Sequence, residues 1–98
     1  MDKEQYLLVK LAEEASEIAQ IALKSAQYGL GEKKEGQDLT NAQRLNSELN
    51  DLLVIITFMQ AYSIFNLEQD ADEVALAKKV KVEKYAALAQ SLGKFKND

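Results

Sequence analysis

From Leu7 onward the apolar residues Leu7, Leu11, Ile18, Ile21 and Ala22 recur at helical spacing. At about 100° per residue they form one stripe. Asp2 with Gln5 three positions on has the spacing of a capping box, and Gly29 supplies a stop, so a first helix is predicted from Asp2 to about Tyr28. The polar segment GLGEKKEGQDL reads as a loop. Thr40 and Gln43 repeat the capping-box spacing and open a second helix, predicted to run to about Phe65 along a line of Glu48, Asp51, Ile55, Phe58 and Tyr62. Asp70 and Glu73 carry the same signature for a third helix ending near Leu92 and Gly93. Proline is absent and no repeat interrupts the pattern, which predicts an all-α chain of three main helices in one domain spanning residues 1–98.

Charged residues lie inside these stripes. Glu14 falls in the middle of the first and Glu17 on its edge, neighbours at i,i+3, while Glu13 turns to the polar side. Glu48 and Asp51 stand in the line of the second helix, with Asn46, Asn50, Thr57 and Gln60 on its far face. The third helix sets Lys81 on the stripe of Val74, Tyr85, Leu88 and Leu92, flanked by Lys78 and Lys84. Acids three apart are common on solvated faces, and a lysine can snorkel from a helix edge. Two inward pairs on packed helices are another matter, because unpaired carboxylates there are costly unless protonated or bound to a cation. Phe58, Tyr62 and Tyr85 are expected in the core.

Composition narrows the cation. Without cysteine or histidine, zinc, haem and the Glu-x-x-His di-iron arrangement lose their usual ligands, which leaves an oxygen-held hard ion such as magnesium, manganese or calcium; four converging acids suggest Mg2+, with Mn2+ as a substitute. Glu14, Glu17, Glu48 and Asp51 together equal the whole net charge of −4, and that sign argues against a nucleic-acid partner. The start MDKEQY lacks the regions of a signal peptide, and the longest apolar run, Leu52 to Met59, is too short to span a bilayer. No membrane partner is expected, and the location is expected to be cytoplasmic. At 98 residues the chain buries a modest core alone, so a homo-oligomer is expected.

Glu13-Glu14-Ala15-Ser16-Glu17, followed some thirty residues later by Glu48-Leu49-Asn50-Asp51, resembles the EExxE…ExxD signature of the MazG-like all-α nucleoside triphosphate pyrophosphohydrolases. The flanking LVKLAEEASEIAQIALKSAQYGLGE and TNAQRLNSELNDLLVII look like the short phage and bacterial members, and KKVKVEKY is similar to their lysine-rich third helix. The resemblance covers Leu7 to Leu88. Asn50 stands where many relatives carry glycine or another small residue.

The resemblance implies cleavage of an NTP or dNTP between the α- and β-phosphates, giving the monophosphate and pyrophosphate, as in nucleotide-pool house-cleaning. It implies Glu14, Glu17, Glu48 and Asp51 as magnesium ligands, and a homodimer or homotetramer around a four-helix-bundle core. In such a site Glu14 or Glu17 is the expected proton acceptor. Lys81, Lys84 and Lys78, with Lys24, are the expected phosphate contacts, and Tyr28, Asn41 and Asn50 the candidates for base or sugar. The alternative is a catalytically idle helical module that keeps the bundle for protein association.

Overall fold

The computed structural model describes residues 1–94, and every regular element in them is helical: α1 (Lys3–Tyr28), α2 (Asn41–Ala61) and α3 (Asp72–Ser91). Two of the three expected capping boxes form, those of α1 and α2. Asp2 accepts from the Gln5 N–H while the Gln5 side chain accepts from the Asp2 N–H, and Thr40 and Gln43 exchange the same pair of bonds. Each satisfies a donor that the first turn of a helix leaves free.

α1 stops at Gly29, whose φ of 98° suits a residue without a side chain. The following loop then covers the start of α2: the Asn41 N–H donates to the Glu32 carbonyl and the Ala42 N–H to the Leu30 carbonyl. α2 ends four residues earlier than the apolar pattern predicted. Ser63 takes a left-handed φ of 57°, and the Ile64 N–H reaches back to the Met59 carbonyl, the bond of a Schellman cap. A serine in that conformation gives no warning in the sequence.

The first 67 residues form one compact unit, a hairpin of α1 and α2. The helices run antiparallel, since the Asn41 side chain bonds the Gly29 carbonyl at one end and the Lys3 ammonium lies 3.8 Å from the centre of the Tyr62 ring at the other. Leu7, Ile21, Met59 and Asn41 are buried in this hairpin. Leu11, Glu14, Ile18, Leu45, Glu48, Leu52, Ile55 and Ile56 are half-buried.

On α1 the buried side is the predicted stripe, with Glu14 at its centre, except that Ala22 at its edge is exposed. On α2 it is centred about 60° round from the predicted line, on Asn41, Leu52 and Met59. Phe58 and Tyr62 are consequently half-exposed rather than core; their rings stack with centroids 6.3 Å apart.

α3 belongs to a second unit, Glu68 onward. Its cap differs from the expected one: Ala71 occupies the N-cap without a side-chain bond, because the Asp70 carboxylate pairs with Lys78. No residue of α3 is buried, so Lys81 and Tyr85 do not face a core; the Lys81 ammonium lies 5.9 Å from the Tyr85 ring centre. Across the described residues large apolar side chains remain open to solvent, among them Leu23, Leu53, Val54, Val80, Val82 and Leu88. No helix among those residues is long and apolar enough to cross a membrane.

Candidate metal centre

Halfway along the hairpin, α1 and α2 bring three carboxylates together. One oxygen each from Glu14, Glu17 and Glu48 lies within 4.8 Å of the other two. Glu14 and Glu17 are adjacent on α1 by their i,i+3 spacing, and the antiparallel packing sets Glu48 opposite them. Glu14 and Glu48 are half-buried and Glu17 is exposed, so the cluster has a closed inner side and an open outer one. The Oε2 atoms of Glu14 and Glu48 are out of contact with water and have no hydrogen-bond partner.

This crowding shows in the acidity of Glu48, whose carboxyl is pushed up to about 7. The largest cause is a hydrogen bond that Glu48 can donate to Glu17 only when protonated, followed by the equivalent bond to Glu14. Burial and the repulsion of the two neighbouring negative charges add to it. Either a proton or a cation on Glu48 relieves this crowding.

The donor set fits a hard divalent ion. Three carboxylates from two helices, two of them with an enclosed and unsatisfied oxygen, offer the ligand type that magnesium and manganese take. Within the described residues this is the one group of three or more acids so arranged.

The other expected site residues fall into separate places. Asp51 lies on α2 one turn beyond Glu48 but is exposed and outside the group of three, because it stands about 80° from the centre of the buried side. Glu13 is exposed and pairs with Lys10 at 3.1 Å, as its outward position predicts. Lys24 is half-buried near the end of α1, and Tyr28 is exposed.

Asn41 is almost wholly buried, and its amide nitrogen donates to the Gly29 carbonyl at 2.9 Å, which joins the two helix ends. Asn50 is exposed and donates to the Asn46 carbonyl on its own helix. In the second unit Lys78 is engaged by Asp70, whereas Lys81 and Lys84 form no ion pair among the described residues.

One charged residue near the centre was missed in the sequence. Arg44 is half-buried one turn before Glu48, and its Nη1 is enclosed without a hydrogen-bond partner. Its signal was its place in the line Arg44, Glu48, Asp51, Ile55 at spacings of four, three and four.

No protein-family model, curated protein or solved structure matches the chain.

Proposed function

We propose that the protein hydrolyses a nucleoside triphosphate, NTP or dNTP, to the monophosphate and pyrophosphate with the help of Mg2+ or Mn2+, as the resemblance to MazG-like pyrophosphohydrolases implies. The observation that carries this reading is the cluster of Glu14, Glu17 and Glu48, with its two enclosed, unpartnered carboxylate oxygens. A solvated acidic face would leave those oxygens in water.

Glu14, Glu17 and Glu48 would hold the ion, with Asp51 reaching the same site from the open edge. Bound magnesium would supply a Lewis acid for the phosphoryl oxygens and make a bound water more acidic. Glu17, exposed at the mouth of the cluster, is the better placed of the two candidate bases to accept the proton of an attacking water on its carboxylate. Glu14, at the centre of the packed side, is the more rigid ligand. Lys24, on the same helix as Glu14 and Glu17, would be the phosphate cation that this unit supplies.

Pairing of hairpins from two copies into a four-helix core belongs to the same reading. Its support is the large apolar surface that the described chain leaves open, which a domain of this size removes from water by association. An idle association module would share that surface but has no use for unsatisfied acids in its seam. The test is a panel of NTPs and dNTPs incubated with magnesium and assayed for released pyrophosphate. Release from at least one nucleotide is expected; none from any, by the folded protein, overturns the reading.

A further inference from the structure

The hairpin holds a second unsatisfied charge one turn before Glu48 on α2, and its sign is opposite. Arg44, Glu48 and Asp51 lie within about 60° of one another on α2, and Arg44 precedes Glu48 by about 6 Å along the axis. At i,i+4 an arginine and a glutamate are ordinarily free to pair. Here they do not: the ion pairs among the described residues are Lys10–Glu13 and Lys78–Asp70. Nη1 of Arg44 is instead enclosed with no acceptor, while Oε2 of Glu48 is enclosed with no donor. A guanidinium N–H kept from water without an acceptor is costly, and its planar fork suits the oxygens of a carboxylate or a phosphate; no carboxylate of the described residues takes it.

We infer that Arg44 is an anion-binding residue of this site, taking phosphate oxygens of the ligand whose cation the neighbouring carboxylates hold. The assignment rests on the reading of a phosphorylated ligand at Glu14, Glu17 and Glu48. It adds to that reading a specific contact from the same helix as Glu48. Arg44 acts on binding rather than on the proton, so its removal weakens affinity for the phosphates and leaves the metal ligands in place.

The experiment compares wild type with Arg44→Met and Arg44→Lys, using inorganic pyrophosphate with magnesium as the probe in calorimetry and Mn2+ alone as the control. The expected result is at least a tenfold loss of pyrophosphate affinity in Arg44→Met, a partial loss in Arg44→Lys and unchanged Mn2+ affinity in both. Melting temperature without anion supplies a second readout. Because Nη1 has no partner to lose, Arg44→Met should melt no lower than wild type, whereas an arginine with a purely structural role would leave the variant less stable.

Equal pyrophosphate affinity in wild type and Arg44→Met overturns the inference, as does failure of the wild type to bind the probe. If wild type hydrolyses a triphosphate and Arg44→Met does so with the same KM, the inference falls and the proposed activity stands. If no nucleotide is hydrolysed but pyrophosphate binds through Arg44, the anion site stands and the proposed activity falls.

Discussion

Replacing Glu48 by glutamine removes one negative charge from the carboxylate cluster at nearly constant shape. With its oxygens within 4.8 Å of those of Glu14 and Glu17, each repulsion amounts to about 1 kcal/mol at the dielectric of water and about 3.5 kcal/mol at an effective value of 20. Glu17 is exposed and Glu48 only half-buried, so screening keeps the sum of the two near the lower figure, roughly 1–2 kcal/mol.

The full effect belongs to pH 8, where a carboxyl of pKa about 7 is ionised. At pH 5 Glu48 holds its proton in the folded protein and resembles glutamine already. In chelator at pH 8, Glu48→Gln should therefore melt higher than wild type by roughly 5–10 °C, at about 4–8 °C per kcal/mol for a domain of this length. At pH 5 the two should melt nearly together. Added magnesium should raise the wild type and leave the variant almost unmoved. Melting followed by circular dichroism decides it: a variant no more stable than wild type at pH 8, or an equal response of both to magnesium, refutes the clustering of charge at Glu48.

The same carboxyl sets a pH slope in the wild type. Between 4.5, the ordinary value, and about 7 the folded state keeps a proton that the unfolded state has lost. The contribution of Glu48 to metal-free stability is thus full below 4.5 and is lost as pH rises through 7, by about 1 kcal/mol after screening; denaturant titrations of wild type against Glu48→Gln should show this decline and its flattening by magnesium. Asn41→Ala removes a buried donor from the Gly29 carbonyl and should cost about 2 kcal/mol, read as a lower urea midpoint at constant slope. That loss should appear with and without metal, since the bond lies at the loop end of the hairpin.

Much of the hairpin was legible because local chemistry and long-range packing agree there. Two capping boxes and Gly29 marked both ends of α1 and the start of α2, and the stripe through Leu7, Glu14 and Ile21 is the face that packs. The end of α2 was hidden by Ser63, which adopts a conformation its type seldom signals. The facing of α2 was misjudged for a different reason: Phe58 and Tyr62 weigh heavily in any apolar line, yet Met59 and the polar Asn41 occupy the centre of the seam. Asn41 is inside because it ties two helix ends together, a demand that hydrophobic periodicity does not register.

That same rotation explains the site. Glu14, Glu17 and Glu48 meet as their spacing suggested, whereas Asp51, a turn further on, is carried to the open edge. At the start of α3, Asp70 had a competing partner in Lys78, and pairing with it left the cap to Ala71. Arg44 is not legible in the sequence because a single arginine in a polar helix start looks solvated; only its enclosed nitrogen sets it apart.

The most direct test of the proposed chemistry follows the phosphorus resonances of a triphosphate during incubation with wild type and with Glu14→Gln, in magnesium and in chelator. Paired growth of monophosphate and pyrophosphate is expected from wild type with magnesium alone, with no product from the variant or in chelator. Release of diphosphate and orthophosphate, or turnover that persists in chelator or in Glu14→Gln, would contradict it.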